Sequence, residues 1–111
     1  MIKVIQYEEK EERMPVKVMI KRKWQVENPE ELYPLLAELR ASARKQPGFI
    51  SGETLRSLDD SKDFLVISIW ETPDDWKKWM QNKKRRDLQG KVDSLIGERT
   101  FYEIFETVST E

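Results

Sequence analysis

Residues Asp63–Trp79 read DFLVISIWETPDDWKKW, a strand that runs directly into a capped helix. In the first half, Phe64, Val66 and Trp70 share one parity with Ser68, while Leu65, Ile67 and Ile69 share the other. A strand covered on one side only should be polar at alternate positions. This one is apolar on both, so both faces of its sheet need cover. In the second half Thr72 is placed to cap a helix, Pro73 suits the first helical position, and Asp75 stands three residues after the cap. Trp76, Trp79 and Met80 form that helix's inner stripe.

Upstream, Val16 to Val26 alternates: Val16, Val18, Ile20, Trp24 and Val26 share one face, and Lys17, Lys21, Lys23 and Gln25 the other. Arg22 breaks the pattern by falling on the apolar face. It reads either as a strand-end arginine reaching for solvent or as a cation at the mouth of an apolar cleft. A helix follows, with Asn28 as cap, Pro29 first and Glu31 closing a capping box. Leu32, Leu35, Leu36, Leu39 and Ala43 make its apolar stripe, and Gln46, Pro47 and Gly48 end it. Phe49 to Leu58 reads as a second strand, with Gly52 as a bulge or close-approach point. The polar turn Asp59–Asp63 returns the chain antiparallel.

Downstream, the helical spacing loosens around Gln81 and Asn82 before a new stripe of Leu88, Val92, Leu95 and Ile96. A kinked helix or two consecutive helices are expected, ending at Gly97. Arg99 to Val108 is the last strand, with Phe101 and Phe105 on one face and Tyr102 and Ile104 on the other. The order β-α-β-β-α-β is the ferredoxin-like split βαβ pattern of an α+β domain. It places both helical segments on one face of a four-stranded antiparallel sheet. The other face is then apolar and uncovered, which is rare in a monomer. A homodimer, sheet against sheet, resolves this.

With 111 residues the chain is one domain. Residues 16–111 form it, and 1–15 are an extension that is either a frayed segment or an added strand or arm. There are no cysteines and no histidines. The first absence removes thiol chemistry and disulfides, the second the commonest general base and metal ligand. No metal-ligand spacing occurs. The 20 basic and 21 acidic residues nearly cancel, giving no general attraction to nucleic acid or to a membrane. The longest apolar run, Phe64 to Ile67 closed by Ser68, is too short to span a bilayer. A cytoplasmic protein is expected. The basic run Lys77, Lys78, Lys83, Lys84, Arg85, Arg86 and Lys91 reads as a solvated helix face, without the aromatic platform of RNA-binding sheets.

The Val16–Val26 strand, QPGFISGETL (Gln46–Leu55), LVISIWETPDDWKKW (Leu65–Trp79) and YEIFE (Tyr102–Glu106) resemble the antibiotic biosynthesis monooxygenase family of dimeric α+β barrels. The resemblance spans Val16 to about Val108. Its haem-degrading branch uses a first-strand asparagine, a second-helix tryptophan and an iron-ligating histidine; these positions fall at Arg22, Trp79 and Gln89 here. With the histidine replaced, the resemblance implies no haem. Its cofactor-free branch implies a monooxygenase acting on a small aromatic or quinol-type compound, with no cofactor. Arg22 would then stabilise an oxyanion as the catalytic group. Trp24 and Trp79 would stack on the ligand, and Gln89 would add a hydrogen bond. No side chain stands out as a base, so a non-catalytic ligand-binding or interaction module on the same barrel is the alternative.

Overall fold

The computed structural model describes residues 15–25 and 29–108. Four strands form one antiparallel sheet: β1 (Val16–Lys23), β2 (Phe49–Arg56), β3 (Asp63–Trp70) and β4 (Phe101–Glu106), in the order β2-β3-β1-β4. Three helices, α1 (Leu32–Arg44), α2 (Pro73–Gln81) and α3 (Lys83–Ile96), supply the second layer. This is the expected ferredoxin-like α+β arrangement. The strand or arm expected in residues 1–15 lies, apart from Pro15, outside the described residues, as do the cap Asn28 and Val26.

Register decides which side chains meet. On β1 and β3, Val16 faces Trp70, Val18 faces Ser68, Ile20 faces Val66 and Arg22 faces Phe64. Ile20 also opposes Tyr102 on β4. All of these lie on the helix-covered face, and Val16, Val18 and Trp70 anchor a core with Leu32, Leu36, Val92 and Ile96. Trp70, at 1% exposure, is core; its indole N–H donates to Ser68 Oγ at 3.1 Å, so the buried ring leaves no orphan donor. The opposite face carries Leu65, Ile67 and Ile69, half-buried in the single chain, and the more exposed Phe101 and Phe105.

Several boundaries are shorter than the sequence pattern suggests. β1 ends at Lys23 and β4 spans Phe101–Glu106, since alternation continues past the last ladder partner. Near α1, Pro29–Glu31 form a single 3-10 turn and the helix proper begins at Leu32, with Glu31 at its N-cap and no side-chain bond capping it there. The β2 irregularity falls between Phe49 and Ser51 rather than at Gly52. Gly52 is instead a close-approach point, because a Cβ there would sit 3.4 Å from the Phe49 ring.

The break in the second helical region is a single residue. Asn82, extended at φ −64° and ψ 126°, closes α2 and caps α3, its side chain accepting from the Arg85 N–H at 3.0 Å. Upstream, Thr72 caps α2: its hydroxyl accepts from the Asp75 N–H at 3.1 Å and donates to the Asp75 carboxylate at 2.8 Å. Gly48 holds the other side of this joint. Its φ is +84°, its carbonyl accepts from the Glu71 N–H at 2.7 Å, and a Cβ on it would collide with the Asp75 carboxylate. The Pro-Gly turn thus locks the start of α2 to the end of α1.

Gly48→Ala should therefore cost about 2 kcal/mol, from left-handed strain plus the collision, and lower the melting temperature by about 10 °C. Thr72→Ala, which only removes a cap, should cost about 1 kcal/mol. Thermal unfolding followed by circular dichroism checks both, and equal losses would contradict the collision.

Candidate functional site

Between the sheet and the helices the core is incomplete, leaving a mostly apolar cavity of about 230 Å³. The position of Arg22 accounts for part of this. Its parity on β1 points a guanidinium into the space where a continuing Val16–Val18–Ile20 stripe would place an aliphatic side chain. Aromatic rings make the walls. Trp24 stacks on Phe64 with centroids 3.8 Å apart, Trp70 and Trp79 lie 6.3 Å apart, and Trp76 meets Tyr102 edge-on at 6.2 Å. Trp76 is half-buried and belongs to the cavity wall.

The structure brings Arg22, Trp24, Trp79 and Gln89 together around this one cavity. Arg22 Nη2 donates to Gln89 Oε1 at 3.1 Å. The Gln89 amide N–H₂ in turn donates to Asp93 Oδ1 and Thr100 Oγ1, both at 2.8 Å, and the Thr100 hydroxyl donates to Asp93 at 2.6 Å. A flipped amide would set donor against donor at Arg22 and acceptor against acceptor at Asp93, so only one orientation satisfies the network. Among the described residues two buried donors remain without a partner: Arg22 Nε and Trp24 Nε1.

Arg85 and Tyr102 were not legible as site residues. The sequence reading placed Arg85 on a solvated face, and the structure corrects this: it is 8% exposed and borders the cavity. Its Nε and Nη2 donate to the Met80 carbonyl at 3.2 and 2.9 Å, and its Nη1 donates to the Tyr102 hydroxyl at 3.1 Å. The α2 carbonyl freed by the break at Asn82 is thereby satisfied. The signal was present in the spacing, since Arg85 leads the stripe Leu88, Gln89, Val92 and Ile96 at helical intervals, but the surrounding run of lysines and arginines masked it.

Burial sets the electrostatics. Loss of solvation pulls the Arg22 pKa below its ordinary value, opposed by the negative charge that Tyr102 and Asp93 can carry nearby. A guanidinium starts so high that it remains charged at neutral pH. Burial pushes the Tyr102 phenol above 10, and the Arg85 and Arg22 charges only partly offset it. Tyr102 is thus a neutral phenol at physiological pH. Its oxygen accepts from Arg85, which leaves its own proton available to donate.

The antibiotic biosynthesis monooxygenase family model matches residues 15–91, more than half of the chain. The chain belongs to the antibiotic biosynthesis monooxygenase family. Solved structures agree on the fold. SnoaB of Streptomyces nogalater, a cofactor-independent oxygenase, aligns at a TM-score of 0.76 with 18% identity, covering 87% of this chain and 96% of that one. A conserved protein of Methanosarcina mazei aligns at 0.79 with 13% identity over 88% and 97%. Rv0793 of Mycobacterium tuberculosis aligns at 0.75 with 14% identity over 86% and 96%. No curated protein matches. At these identities the monooxygenase-family neighbours establish architecture, and the cavity has to be read from its own residues. Among the described residues no group of three or more potential ligands could hold a metal, and no helix is long and apolar enough to cross a membrane.

The raised Tyr102 pKa has a signed consequence. The folded state holds that proton more tightly than the unfolded chain, so its contribution to stability is complete below pH 10 and lost as pH rises through the folded pKa. Subtracting the phenolate absorbance titration of Tyr102→Phe from that of the wild type should isolate one group titrating above pH 10. Arg85→Met should move that group higher still. A difference curve centred below pH 10 would contradict the burial argument.

Proposed function

We propose that the cavity holds a small phenol- or quinol-type aromatic compound and that the chain is a cofactor-independent monooxygenase acting on it. The observation that carries this reading is the pair of orphan donors. An unpaired buried N–H costs about 1–3 kcal/mol, and both unpaired atoms, Arg22 Nε and Trp24 Nε1, belong to side chains that line a cavity walled by aromatic rings. A flat ligand carrying an oxygen acceptor would suit these walls and offer these side chains a partner. The fold shared with SnoaB, a cofactor-independent oxygenase, supports the reaction class.

In this reading Arg22 stabilises the phenolate that reacts with oxygen, as a preorganised charge in a dry site does. Trp24 and Trp79 are the stacking walls. Gln89, whose amide is engaged with Arg22, Asp93 and Thr100, holds the guanidinium in place. Tyr102 can donate a second hydrogen bond to the ligand oxygen. Oxygen uptake with a panel of hydroquinones tests the assignment. Wild type should consume oxygen, and Arg22→Ala should lower kcat by about 100-fold.

The second reading is a non-catalytic binding module on the same scaffold. It draws on the raised pKa of Tyr102, which makes that phenol a poor base, and on the absence of histidine from the chain. Saturable binding of hydroquinones without oxygen uptake would establish it in place of the enzyme.

The open face of the sheet belongs to the same proposal. Leu65, Ile67 and Ile69 run down its middle, and Phe101 and Phe105 are 69% and 46% exposed. A second copy packed sheet to sheet would remove this surface from water, consistent with a two-fold homodimer. Sedimentation equilibrium at micromolar concentration should give twice the chain mass, and Ile67→Asp should give the monomer. A wild-type monomer would rule the packing out.

A further inference from the structure

A second pocket, about 570 Å³ and more open, lies at the end of the sheet beyond Arg22. It is bordered by the ends of β1 and β2, the starts of β3 and β4 and the loop after α3. Arg22 and Phe64 line both this pocket and the aromatic cavity, so these two side chains form the partition between them.

The charge of the outer pocket is one-sided. Lys21, Arg22, Lys23, Arg56 and Arg99 line it against only Asp63 and Glu98. The lysines are already engaged, Lys21 with Glu103 at 3.5 Å and Lys23 with Asp60 and Asp63 at 3.7 and 3.9 Å. Among the described residues, none of the three arginines has a carboxylate within ion-pair distance. Arg56 lies over the Phe64 ring with its guanidinium carbon 5.1 Å from the centroid, which sets a cation against the outer side of the partition. A buried donor without an acceptor, Arg22 Nε, belongs to the same boundary.

We infer that the outer pocket is a subsite for an anionic substituent, a carboxylate carried on the aromatic ring held in the inner cavity. The inference rests on the aromatic-ligand reading above and adds the charge and shape of the ligand: one flat apolar part and one anionic part, joined across Arg22 and Phe64. Arginine suits this task because its planar fork matches a carboxylate in two parallel hydrogen bonds. An anion here would complete the unpaired arginines, whereas a neutral ligand would leave them solvated and unused. A free inorganic anion, lacking the ring, has only the outer half of the site.

Titration calorimetry of the full chain with 2,5-dihydroxybenzoate and with 2,5-dihydroxybenzamide separates the possibilities, since the two share a ring and differ in charge. The acid should bind about tenfold more tightly, as a hydrogen bond to a charged group implies, and the advantage should shrink as salt is raised. Arg99→Gln and Arg56→Gln should each reduce that advantage without weakening the amide, while Lys91→Gln, an exposed α3 position outside the pocket, should change neither. Equal affinity for acid and amide would overturn the subsite and leave the aromatic cavity standing. Binding of neither compound would overturn both readings. Inorganic phosphate binding as tightly as the acid would overturn the link between the two halves.

Discussion

The constraint on which the structure depends is that β3 is apolar on both faces. It is an interior strand, paired with β2 on one side and β1 on the other. Its Phe64–Val66–Trp70 face is covered by the helices of its own chain. Among the described residues the Leu65–Ile67–Ile69 face has no such cover. One sequence pattern therefore supplies a face for the helices and leaves a second apolar face open among the described residues. That division also locates the cavity, since only the helix-covered side can enclose a volume within one chain.

On that side, enclosure and charge are consequences of one substitution in a pattern. The β1 stripe Val16, Val18, Ile20 builds core until Arg22 interrupts it. Burying a guanidinium is unfavourable unless its hydrogen bonds are met. Part of that need is answered by Gln89, oriented by Asp93 and Thr100. The unmet remainder is at Nε, buried without an acceptor. Arg85 shows the contrasting solution. All three of its guanidinium nitrogens donate, two to the Met80 carbonyl and one to Tyr102. One buried arginine thus stabilises a helix junction with every nitrogen engaged, and the other keeps one donor unpaired.

Much of the fold was legible in the sequence because its signals are local. Thr72-Pro73 and Gly97 mark helix ends through hydrogen bonding and a left-handed φ that few residues tolerate. Parity alone put Arg22 on the cavity face. The α1 start was misjudged because a proline with nearby acids also fits a 3-10 turn, as Pro29–Glu31 do. In the candidate site, Trp24, Trp79 and Gln89 were nominated through family resemblance, and the structure places them on one cavity. Arg85 was missed because its neighbours in sequence are solvated cations, whereas its neighbours in space are Met80 and Tyr102. Such a contact depends on tertiary packing, which no local pattern encodes.

The break at Asn82 also sets rotational phase. An α-helix turns about 100° per residue, so Trp79 and Leu88, nine positions apart, would project from opposite sides of one continuous rod. A single extended residue resets the angle, and both side chains become buried. Without that reset the tryptophan face and the Leu88–Val92 face would compete for the sheet, and one of them would have to turn to solvent. Asn82 therefore acts as a phase corrector, letting two amphipathic patterns that are out of step share a single apolar floor.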